Sequence, residues 1–112
     1  MGIPLHTQSE LTHVVVNSAA GGTLAVASAV TGSKIGIYRM LLVANSATTI
    51  TIQDTASSAL SAPYSLLAGG SIIVDTPING DPWWQSTAGK GLQINSSAAV
   101  QVSADVYYLV SP

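Results

Sequence analysis

Thr48-Thr49-Ile50-Thr51-Ile52-Gln53-Asp54 alternates apolar and polar side chains one residue at a time. Successive side chains of an extended chain point to opposite faces, so Ile50 and Ile52 enter a core while Thr49, Thr51 and Gln53 face outward. β-branched residues dominate the stretch, which favours strand over helix. The same period runs through the C-terminal segment. Val100, Val102, Ala104, Val106, Tyr108 and Val110 share one face, and Gln101, Ser103, Asp105, Tyr107 and Leu109 the other. Leu92 and Ile94 alternate with Gln93 and Asn95 in the same way, and no helical 3.6-residue stripe competes with these patterns.

Turn residues divide the chain at short intervals. They are Gly21-Gly22, Thr31-Gly32-Ser33, Asn45-Ser46, Ala56-Ser57-Ser58, Gly69-Gly70, Asn79-Gly80-Asp81-Pro82, Gly89-Lys90-Gly91 and Ser96-Ser97. The spacing predicts eight or nine short strands near 11–17, 23–30, 34–44, 48–54, 64–67, 71–75, 83–87, 91–95 and 100–110. An all-β, antiparallel two-sheet sandwich or a barrel follows, as a single domain over 10–112 preceded by an extended arm at 1–9. Within 34–44, strict alternation puts Ile35, Ile37, Arg39, Leu41 and Val43 on one face and Tyr38, Met40, Leu42 and Ala44 on the other. A strand apolar on both faces is expected to be covered on both. Another subunit is the preferred cover for the second.

Composition restricts the function. Three Lys or Arg and five Asp or Glu make up 7% of 112 residues, against about 25% in an ordinary soluble domain. Such a surface suits a protein packed against copies of itself or a larger assembly. The small hydrophobic residues point the same way, because Phe is absent and a core built on Ala and Val buries little area per side chain. Lys34, Arg39 and Lys90 are too few to neutralise a run of phosphates, so no nucleic-acid partner is expected. No stretch is long and apolar enough for a membrane span, and no signal-peptide pattern opens the chain.

The chemistry-bearing residues are sparse. His6 and His13 lack convergent acids, and Glu10, Asp54, Asp75, Asp81 and Asp105 lie on separate segments, so no metal or other cofactor is expected. No Gly-x-Ser-x-Gly elbow occurs, and Gly89-Lys90 lacks the rest of a phosphate loop. The chain reads as a non-enzyme. Arg39, set among Ile37 and Leu41, needs a carboxylate such as Asp54 or Asp75, or one on a neighbouring subunit. Trp83 and Trp84 are adjacent, so one should enter the core and the other point outward. Exposed Trp is enriched at interface hot spots and also serves as a sugar-stacking platform.

From about Gly32 to Leu109 the order of features resembles that of small β-sandwich virion proteins of tailed bacteriophages, the head decoration (cement) proteins among them. The resembling pieces are Ser33-Lys34-Ile35-Gly36-Ile37-Tyr38, Leu41-Leu42-Val43-Ala44, the Thr48 to Asp54 strand, Leu67-Ala68-Gly69-Gly70 and Trp83-Trp84. They continue with Thr87-Ala88-Gly89-Lys90-Gly91-Leu92-Gln93-Ile94-Asn95, Ser97-Ala98-Ala99-Val100-Gln101-Val102 and Tyr107-Tyr108. The resemblance implies a jelly-roll-like sandwich and a homotrimer seated on the major capsid protein at the outer head surface, made in the bacterial host cytoplasm. It implies no catalytic residue. A tail or fibre appendage, and a small lectin-like carbohydrate-binding module using Trp83 or Trp84, are the alternatives. The arm is expected to reach a neighbour. The candidate interface comprises Ile3 and Leu5 of the arm, with Tyr38, Arg39, Met40, Trp83, Trp84 and Tyr107 of the domain.

Overall fold

The computed structural model of the chain describes residues 11–77 and 80–112. Nine strands occupy them: β1 Thr12–Ser18, β2 Gly22–Ala27, β3 Lys34–Ala44, β4 Thr48–Asp54, β5 Tyr64–Leu66, β6 Ser71–Asp75, β7 Trp84–Gln85, β8 Leu92–Ser96 and β9 Val102–Ser111. They form two antiparallel sheets, one in the order β1-β9-β3-β6 with β7 also on β3, the other in the order β2-β8-β4-β5. With β7 set aside the pairing is nested: β1 with β9, β2 with β8, β3 with β6, β4 with β5. One long hairpin wrapped over itself into two sheets has this nesting, which is the jelly-roll arrangement. Val16, Leu24, Val26, Ile35, Ile37, Met40, Leu42, Ile50, Ile52, Leu92, Ile94, Val102, Ala104 and Val106 meet between the sheets as one core. The arm at 1–9, with Ile3 and Leu5, lies outside the described residues.

The two faces of β3 differ from strict alternation. Its register against β9 runs from Ile37↔Tyr108 directly to Arg39↔Tyr107, leaving Tyr38 as the extra residue of a β-bulge. A bulge advances the alternation by one residue. Ile35 and Ile37 therefore share the inner face with Met40, Leu42 and Ala44, and all five are buried. Leu41 and Val43 point outward with Arg39 and are exposed in the single chain, so the strict alternation expected through 34–44 is corrected at Tyr38. The expectation that Met40 lies at an interface falls with it, since Met40 is 2% exposed in the core.

The bulge has a cover of its own. β6 pairs with β3 from Arg39 to Val43, and β7 takes over the same edge at Gly36 and Ile37. Between them the chain crosses the outside of the sheet and lays Pro82 on Gly36, where an added Cβ would sit 2.7 Å from Pro82 Cβ. Glycine is required there by close approach. Tyr38 is buried at this place. At the other sheet, Asp54 closes the turn after β4: its Oδ1 accepts from the backbone N–H groups of Ala56 at 2.8 Å and Ser58 at 3.0 Å. Asp54 is thereby used locally and is not the partner of Arg39.

Candidate assembly face

The registers of β1, β9, β3 and β6 align the outward side chains of that sheet into three rows across all four strands. The first is His13–Tyr107–Arg39–Asp75, the second Val15–Asp105–Leu41–Ile73, and the third Asn17–Ser103–Val43–Ser71. The first row is continuous in contact. The His13 ring stacks on Tyr107 at 4.5 Å between centroids and 13° between planes. Arg39 Cζ lies 5.1 Å from the Tyr107 centroid, and Arg39 Nε forms an ion pair with Asp75 Oδ1 at 3.2 Å. Both partners of that ion pair are largely hydrated, so it contributes at most about 1 kcal/mol to stability. What it does is hold the guanidinium beside the Tyr107 ring.

The second row carries the apolar surface. Val15 is 67% exposed, Ile73 71%, Leu41 45%, and Val43 in the third row 39%. Asp105 stands among them, its Oδ1 accepting from His13 Nε2 at 2.8 Å. Leu41 and Ile73 floor a shallow groove of about 360 Å³ walled by Arg39, Asp75, Asp105 and Tyr107. The third row is knit by polar groups: Ser103 Oγ donates to Asn17 Oδ1 at 3.0 Å, and Gln101 Nε2 donates to the same oxygen.

The other sheet presents a different surface. Its outward rows are Thr23–Asn95–Thr51 and Ala25–Gln93–Gln53, with Thr49 beside Ser65. These are uncharged, and none is a large aliphatic side chain. Gln93 is buried even on this side, because its Nε2 donates to Gln53 Oε1 at 2.9 Å under the turn that follows β4. The sandwich is therefore two-faced, one side wet and polar, the other apolar with fixed charges.

Of the residues singled out from sequence, Arg39 and Tyr107 lie together on the apolar face, and Arg39 takes Asp75 as anticipated. Trp84 packs against the core and Trp83 is 52% exposed, its indole N–H donating to the Asp75 carbonyl at 3.1 Å. Trp83, Trp84 and Tyr64 form a tilted aromatic cluster, with neighbouring ring centroids 6.2 and 6.3 Å apart. Tyr38 lies beneath the Pro82 crossing, where burial first and the Asp81 charge second raise its pKa above the ordinary tyrosine value. Sequence reasoning missed Val15, Leu41, Val43, Ile73, His13 and Asp105 as one surface. Alternation could have supplied His13, Val15 and Asp105, but Leu41 and Val43 required the bulge. Among the described residues no group of three or more His, Cys, Asp or Glu side chains could hold a metal ion, and no helix is long and apolar enough to cross a membrane. No protein-family model, curated protein or solved structure matches the chain.

Proposed function

We propose that this chain is a non-enzymatic structural protein of a tailed-phage virion, a decoration protein that self-associates as a homotrimer and binds the major capsid protein on the outer head surface. The exposed aliphatic set on only one of two sheets carries the assembly part of this reading. An isolated soluble protein gains nothing from Ile73, Leu41, Val15 and Val43 in adjoining rows, whereas an assembled one removes them from water at about 25 cal/mol per Å². The virion part rests on the ordered resemblance from Gly32 to Leu109 and on the jelly-roll nesting of strands. A cement protein acts by adding contact area between shell subunits, and modest contacts repeated around a shell add up through multivalency.

The test is cosedimentation with heads assembled without this chain. Wild-type protein is expected to pellet with them, and Leu41→Thr with Ile73→Thr to stay in the supernatant at a nearly unchanged melting temperature. Equal pelleting of both would remove the apolar face from the account, and no pelleting of wild type would remove decoration.

A carbohydrate-binding reading draws on one observation, the exposed Trp83 beside Trp84 and Tyr64. Its separate mark is a shift of tryptophan fluorescence on adding sugars, which the decoration reading does not produce.

A further inference from the structure

Two charges of the described residues are committed within the fold. Arg39 is committed to Asp75 and the Tyr107 ring, and Asp54 to backbone amides. Lys34 and Lys90 are exposed and pair with no carboxylate among the described residues. The backbone brings them together. Gly89 N–H donates to the Ser33 carbonyl at 2.8 Å, while Ser86 Oγ accepts from Ile35 N–H at 3.0 Å and donates to the Lys90 carbonyl at 2.9 Å. The two ammonium groups mark one corner of the sandwich at the start of β3. Val110, paired with Ile35 and partly exposed, adds an aliphatic group to that corner.

Asp105 has the opposite problem. Its row neighbours are Val15 and Leu41, and its one hydrogen-bonding side chain among the described residues is His13. The apolar face thus carries a carboxylate whose side-chain partner is an imidazole, while the Arg39 guanidinium is taken by Asp75. Whatever covers Val15, Leu41 and Ile73 also dehydrates Asp105, and a buried carboxylate without a cation is strongly unfavourable. A cover that brings a cation set among uncharged groups offsets that cost. The corner of the same copy cannot supply it, since Lys34 and Leu41 are separated along β3 by roughly 23 Å at the usual strand rise.

We propose that the occupant is a second copy of this chain, which sets its Lys34–Lys90 corner on the Asp105 face of the first. This rests on the self-assembly read above and adds which surfaces meet. The four strands and three rows span about 400 Å² in projection, roughly half of the ~800 Å² each partner contributes to a stable interface. A corner-to-face contact engages both surfaces of every copy, so each buries two patches, and it propagates around a ring or along a filament.

Sedimentation velocity of the full chain at low and high salt tests this. Wild-type association is expected to weaken as salt rises. Asp105→Lys alone, and Lys34→Asp with Lys90→Asp, should each weaken it by at least about tenfold, and combining all three should restore it. Asp105→Asn, with a smaller expected loss, keeps the question answerable if Asp105→Lys does not fold. Wild-type association that is indifferent to all these changes overturns this pairing and leaves self-assembly standing. A wild-type monomer that still pellets with heads overturns the pairing and leaves head binding standing.

Discussion

Tyr38 shows how much one residue decides here. It is the bulge residue of β3, it lies under Pro82, and its hydroxyl holds its proton to higher pH than a free tyrosine because burial and then the Asp81 charge disfavour the phenolate. The unfolded chain loses that proton near pH 10, the folded chain later. Folding stability from this group is complete below the unfolded value and falls as pH climbs toward the raised folded one. Tyr38→Phe is expected to unfold at higher pH than wild type in an alkaline titration followed by far-UV circular dichroism. An unchanged alkaline midpoint would contradict the buried, acid-facing placement of the ring. Asp105 is the converse case, a hydrated carboxylate whose importance arises only when its neighbours are covered. Spacing alone could place it outward on its strand, but nothing in the sequence set it between Val15 and Leu41, because that adjacency comes from pairing across strands distant in the chain.

At the scale of elements, β3 explains both what was legible and what was not. Its limits, and those of β4 and β6, could be read from alternation bounded by turn residues, since period 2 and Gly-rich punctuation are local properties. The bulge could not. An inserted residue is specified by the partner strand and by the Pro82 crossing, and the string Ile37-Tyr38-Arg39-Met40 reads equally well without it. Deleting Tyr38 would return the strand to strict alternation with Ile37, Met40, Leu42 and Ala44 still inward and Leu41 and Val43 still outward, so the loss is confined to the ring buried beside Gly36 and Pro82. The deletion variant is expected to keep cooperative unfolding and dispersed amide resonances at a lower melting temperature, because a buried ring is lost. A variant of native stability would show that the bulge is incidental. The turn after β4 illustrates the opposite outcome. Asp54 was counted as a possible ion-pair partner, yet its carboxylate is taken by two backbone N–H groups of its own turn, a short-range competition that Asp before a small-residue loop often wins.

For the whole molecule, the sequence carried the class and the strand count, while the order of strands within the sheets had to come from the three-dimensional pairing. The two-sidedness of the sandwich is likewise a property of the assembled sheets. Threonine, asparagine and glutamine gather on one face, and aliphatic side chains with an ion row on the other, although both sets are interspersed along the chain. The outward face of the β1-β9-β3-β6 sheet thus joins exposed aliphatic side chains to the Asp105 carboxylate. The account stands or falls on where that surface points in an assembled particle. A cryo-electron microscopy map of heads carrying this chain is predicted to show the sandwich on the outer shell with the Leu41 and Ile73 row buried against a second copy. A map with that sheet turned to solvent, or with no density for the chain on the head, would contradict it.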